Sequence, residues 1–264
     1  MVQPLTRYGV WILFVLAAAN GLWLYLLPGQ ADTDYAWSIK PAVNAAFIGA
    51  GFLAGTLATG LVLWKAQRWR TFSTLPIALW VLAFTLLLAT IIHRDRFKWD
   101  YPPTWVWTAV YAGVPIAIPF LVRGQRYGKE PTPAADPKLN VLRAVSAVFG
   151  SVLLIGAAAL YLFPADLLEY WPWDLTPLLA RAVAAWYALF GTLLVSSAYG
   201  LRRPHEAFVG YATLTCWCVL LLLLPVLLPE DVSGGAAWYV GMVALLALGI
   251  YGVLRGARGF ATSA

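Results

Sequence analysis

Charge is what this 264-residue sequence has least of: only 11% of its residues are Asp, Glu, Lys or Arg, while 61% are hydrophobic. A soluble domain carries about 25% charged residues and roughly 45–50% apolar ones. The deficit excludes a water-soluble fold, because no globular interior could absorb the apolar excess.

Cysteine and histidine are scarcer still, at two each. Cys216 and Cys218 stand at i, i+2 within an apolar run, so a helix turns them to different faces and they pair neither as a disulfide nor around a metal. His93 and His205 fall at the outer end of one apolar run and the inner start of another. Most of a ~30 Å hydrocarbon core separates them, which excludes both from one haem. The sequence also lacks a Gly-x-Ser-x-Gly elbow, a phosphate-binding loop, a His-Glu-x-x-His pair and any carboxylate deep in an apolar run. No cofactor and no metal are expected. The net charge of +6 is not interleaved with exposed aromatics in one patch, so nucleic acid is not an expected partner.

Long apolar runs are present in quantity. Eight segments, about 9–27, 41–64, 73–92, 103–122, 142–163, 176–199, 207–228 and 236–254, each approach the ~20 residues that cross a bilayer as a helix. The first could pass for a secretory signal ending at Ala17-Ala18-Ala19, but its apolar run continues to Leu27 and its counterpart lies in mid-chain. Pro115 and Pro119 predict a kink in the fourth span. The expected fold is all-α, a polytopic membrane bundle of eight transmembrane helices.

Those spans repeat. At a gapless offset of 136, Pro28 to Leu63 aligns with Pro164 to Tyr199, matching Trp37/Trp173, Pro41/Pro177 and Gly55-Thr56-Leu57/Gly191-Thr192-Leu193. Arg7/Arg143 and Leu24-Tyr25-Leu26/Leu160-Tyr161-Leu162 fall in the same register. The sequence therefore divides into a first four-helix repeat at 1–122, a polar linker at 123–139 and a second repeat at 140–264. Of the 18 basic residues, 13 fall in loops on the side of the N-terminus and four, Lys40, Arg94, Arg96 and Lys98, on the other. By the positive-inside rule both termini and the linker are cytoplasmic. An even number of spans per half makes the repeats parallel.

Candidate functional residues gather toward the outer ends. Tyr35, Trp37, Trp99, Tyr101, Trp105, Trp107, Tyr170, Trp171, Trp173 and Trp238 form an aromatic set there, which is either an interfacial belt or the wall of a pocket in which the duplicated Trp-x-x-x-Pro loops dip into the bundle. Gly51, Gly55 and Thr59, and Ala180, Ala184, Ala188, Thr192 and Ser196, recur every fourth position as helix-packing seams, with a substrate path as the other reading. Arg181 is the one clear ionisable residue inside a span. It either snorkels to headgroups or pairs with an outer acid, Asp174, Glu169, Glu230 or Asp231, or with a lipid or ligand anion. Asn44 lies one position from its repeat equivalent. The candidate outer-face pocket is therefore Arg181, Asn44, Trp37, Trp173, His93, Asp95 and Arg96. His93 and His205 also read as ordinary solvated loop histidines.

Trp-Ser-Ile-x-Pro at Trp37–Pro41, His-x-Asp-Arg-Phe at His93–Phe97, Tyr-x-x-Val-Pro at Tyr111–Pro115 and Tyr-Trp-Pro-Trp-x-Leu-Thr-Pro-Leu-x-Ala-Arg at Tyr170–Arg181 carry a resemblance. The chain resembles uncharacterised bacterial multi-pass membrane proteins, which implies a bacterial inner membrane and no particular activity. The expectation is a non-enzymatic scaffold or accessory subunit of a membrane complex, in contact with the lipid bilayer and with other subunits, an anionic lipid or a small molecule. A small-molecule transporter or channel with a site between the repeats is the alternative. An enzyme acting on an outer-leaflet lipid, confined to His93, Asp95, Asp100 and their neighbours, comes third.

Overall fold

The computed structural model describes residues 4–65, 69–126 and 134–263. Among them all regular structure is helical, apart from one isolated antiparallel bridge between Trp37 and Phe97. Eight helices are long and apolar enough to cross a membrane. They are α1 (Pro4–Leu26), α2 (Ala42–Trp64), α3 (Leu75–Ile92), α4 (Pro102–Arg126), α5 (Asn140–Leu162), α6 (Pro177–Gly200), α7 (Phe208–Leu227) and α8 (Ala236–Ser263). The fold is an all-α polytopic bundle. The middle of the expected linker, 127–133, and Arg68 lie outside the described residues.

Three ends differ from the hydropathy reading: α1 starts earlier, and α4 and α8 run beyond their apolar stretches. Hydropathy marks what the hydrocarbon covers, whereas a helix continues into headgroup depth while its backbone stays bonded. In the stretch of α8 beyond its apolar run, Arg255 bonds the Tyr251 hydroxyl one turn back, at 2.9 Å.

The packing order does not follow the chain. α1 lies along α2, α2 against α7 and α7 against α8, while α5 lies along α6, α6 against α3 and α3 against α4. Each half thus packs its first two helices on the last two of the other. α6 is the most buried span, followed by α2 and α7, and α1 and α4 turn most of their length outward. Outward side chains such as Ile12, Phe120, Ile155 and Val240 stay largely exposed in the protein alone and face lipid.

Glycine sets the closest approaches. A Cβ on Gly49 would stand 2.6 Å from the Tyr25 backbone nitrogen, and one on Gly150 2.9 Å from the Gly191 carbonyl oxygen, so α1 against α2 and α5 against α6 meet backbone to backbone. The stripe at Gly51 does something else: it admits the face of the Trp186 indole from α6.

Polar bonds fasten these contacts. Tyr25 on α1 donates to the Leu220 carbonyl on α7 at 2.9 Å, and Tyr161 on α5 donates to Thr85 on α3 at 2.8 Å. Arg7 donates to Leu63 at the end of α2, and Arg143 to Ala198 near the end of α6. At the same end of the bundle Arg70 Nε meets the buried Glu206 carboxylate at 3.0 Å, and that carboxylate also accepts from the Arg202 and Arg203 amides. α4 runs on through Pro115 and Pro119 as one helix. Proline has no N–H, so Pro119 leaves the Pro115 carbonyl without its helical partner, and Trp80 Nε1 of α3 donates to it at 3.0 Å.

Candidate functional site

Arg181 lies in the first turns of α6, behind the Thr176 side chain that caps the helix by accepting from the Leu179 amide. Its Nη1 is 2.7 Å from His93 Nε2 and 3.4 Å from the Pro177 carbonyl, and its guanidinium stands 5.8 Å from the centroid of the Tyr161 ring. Three helix ends meet there, because His93 caps the C-terminus of α3 and Tyr161 closes α5. Guanidinium only donates, so His93 Nε2 accepts and the imidazole is neutral, with its proton on Nδ1. Burial first, then the Arg181 charge, push the His93 pKa below its ordinary value, with Arg96 acting the same way and Asp95 opposing. Arg181 Nε is buried without a hydrogen-bond partner.

Of the partners open to Arg181, an acid is not found beside it among the described residues. Asp231 instead accepts from the Val43 amide at 2.9 Å, capping the start of α2, and Asp174 offers its backbone carbonyl to Asn44. A neutral imidazole and an aromatic face take the acid's place. His93, also read as a solvated loop residue, is half-buried and engaged.

The other candidates separate into distinct groups. Asn44, only 1% exposed, accepts from Trp173 Nε1 at 2.9 Å and donates to the carbonyls of Asp174 and Lys40 at 2.9 and 3.1 Å. It clamps the start of α2 to the loop before α6, apart from the Arg181 contacts. Trp37 is buried among Tyr35, Phe97 and Trp107, with its ring centroid 4.7 Å from that of Trp107. Its Nε1 and the Tyr35 hydroxyl have no hydrogen-bond partner. Asp95 and Arg96 are exposed and contact each other at 3.3 Å, a pair worth at most about 1 kcal/mol. The aromatic set therefore divides: Trp99, Trp105 and Tyr170 sit at the surface, whereas Trp37, Trp107 and Trp173 belong to the core.

The loop ahead of α2 is tied down by charge. Lys40 Nζ is 2.8 Å from Asp32, and this amine, with the Ser38 hydroxyl, holds the Asp32 carboxyl below its usual pKa. Lys98 Nζ donates to the carbonyls of Asp32 and Thr33.

Toward the other end, a cavity of about 500 Å³ opens between α1 and α4, floored by α2 and α3 and closed behind by Trp186 and Phe190. The sequence marked three of its lining residues, Gly51, Gly55 and Thr59, as a packing seam with a substrate path as the other reading, but not the cavity itself. Most of its lining is alanine, glycine, leucine and valine, with aromatic rings such as Phe52, Phe72 and Tyr111 among them, composition that reads as ordinary span until the helices are placed.

Fold and cavity together define an integral membrane protein of the all-α, multi-pass class. No protein family, curated protein or solved structure matches the chain.

Proposed function

We propose that the chain is a duplicated, non-catalytic protein of a bacterial inner membrane, with both termini in the cytoplasm, serving as a scaffold or accessory subunit of a membrane complex. The observation that carries this reading is the filled centre. Where α2, α6 and α7 meet, Phe47, Tyr187, Phe190 and Trp217 pack face to face and edge to face with centroids 4.1–6.2 Å apart. Threonine hydroxyls in mid-span are turned back onto their own helices, as Thr56, Thr59, Thr90 and Thr213 are, each to a carbonyl four residues earlier. A centre of this kind offers water and ions no polar path.

The duplication is supported by equivalent bonds. Arg7 and Arg143, 136 apart, each reach the end of the following span, and Tyr25 and Tyr161, also 136 apart, each reach across to the other half. Orientation is supported by the 13-to-4 division of basic loop residues.

Native-gel migration of a mild detergent extract, compared with the purified chain, tests the role. A subunit migrates in a larger species of fixed stoichiometry, and purified protein in sealed vesicles passes neither ions nor small solutes. The cavity favours a second reading, a carrier of small apolar molecules. Saturable uptake by those same vesicles would replace the first reading with it.

A further inference from the structure

The cavity between α1 and α4 has features that a gap left by loose packing would lack. In the second half the corresponding helices, α5 and α8, touch, whereas among the described residues α1 and α4 do not pack as neighbours along their length. The flanking residues Ile12 of α1 and Ala109, Gly113 and Ala117 of α4 are exposed in the protein alone, so the cavity opens sideways toward lipid rather than along the bundle.

One end of it is cationic. Thr6, Val62 and Val122 line the wall, and Arg7, Lys65 and Arg123 stand within one turn of them. Two contacts draw these cations round a common mouth: Arg7 donates to the Leu63 carbonyl, and Gly9 sits opposite the Leu121 side chain, 3.7 Å from a Cβ placed there. All three cations are exposed, and among the described residues none is ion-paired; the nearby Arg70 is instead neutralised by Glu206. An apolar trough beneath cations that no described acid pairs is complementary to a molecule with a long hydrocarbon part and an anionic head.

We propose that this cleft binds an anionic glycerophospholipid of the adjacent leaflet, with an acyl chain between α1 and α4 and its phosphate among Arg7, Lys65 and Arg123. The volume suits this occupant. About 500 Å³ lies in the roughly 300–1,000 Å³ range of small-molecule pockets, whereas a partner helix about 10 Å across and 30 Å long needs several times as much. The inference goes beyond the assembly role and does not depend on it.

The test is native mass spectrometry of the full chain in detergent, delipidated and then titrated with phosphatidylglycerol or phosphatidylcholine carrying identical chains. One phosphatidylglycerol per chain should be retained, with at least tenfold preference over phosphatidylcholine. Gly113→Phe places a side chain where nothing stands within 4 Å of a Cβ, so it should lower retention at least tenfold with the melting temperature unchanged. Ala117→Leu, one turn further along α4, should act in the same direction. Arg7→Ala combined with Arg123→Ala should abolish the headgroup preference while chain binding persists. The proposal is overturned if the wild type holds the two lipids equally, if either folded plugging variant retains lipid like the wild type, or if the plug breaks a dimer instead of releasing a lipid.

Discussion

An arginine that donates to an imidazole fixes the charge of that imidazole as well as its position. Because Arg181 requires a lone pair on His93 Nε2, protonating His93 would both break the bond and set two cations together. The folded-state pKa of His93 is lowered from 6.5. The unfolded chain therefore takes up its proton first as pH falls, and stability that is complete above about pH 6.5 is lost from there down through the lower folded value. The melting temperature of the wild type should decline across that window, and His93→Gln, which still offers an acceptor, should remove the decline. An unchanged pH profile in this variant would refute the neutral-acceptor assignment. Asn44→Leu should cost roughly 2–4 kcal/mol, because it leaves the Trp173 indole N–H and the Asp174 carbonyl without partners; denaturant unfolding of the purified chain measures it. Arg181 was legible as the one cation within a span. Its partner was not, since sequence gives the end of each helix but not which ends coincide.

Among the helices, α4 is the one whose sequence argues most against it, and a neighbour answers the objection. Trp80 supplies the hydrogen bond that Pro119 cannot. Trp80→Phe should destabilise by about 0.5–1.5 kcal/mol, the range of interhelical hydrogen bonds in membranes. Adding Pro119→Ala should recover most of that, because the restored amide can bond the same carbonyl. A double-mutant cycle read by unfolding should show this coupling, and an additive result would mean the indole contributes only packing. All eight spans were visible in hydropathy because length and apolarity are one-dimensional properties. The glycines that decide the α1–α2 and α5–α6 contacts were not the ones picked out by spacing. Gly49 and Gly150 owe their importance to the backbone opposite them, whereas a four-residue period marks any small face.

At the scale of the whole molecule, the interleaved order of helices makes neither half a separate bundle. Loop charges were readable in advance and give a direct check: reporter fusions after Gly128 and after Ala264 should both report the cytoplasm, and an external signal from either would overturn the proposed topology. The cleft between α1 and α4 was not readable, because it depends on how far apart two helices stand, and separation leaves no mark on hydropathy.

Arg70 and Glu206 are themselves 136 positions apart, so under the proposed duplication each is the other's counterpart. Counterparts that touch lie on the axis relating the two copies. Two identical chains joined about such an axis would bring Arg against Arg, or Glu against Glu, at a point where the carboxylate is nearly closed off from solvent. One polypeptide holding both versions has no such conflict. The halves, severed within 127–133 and produced together, should therefore select each other: a tag on one should retrieve the other, and not a second copy of itself.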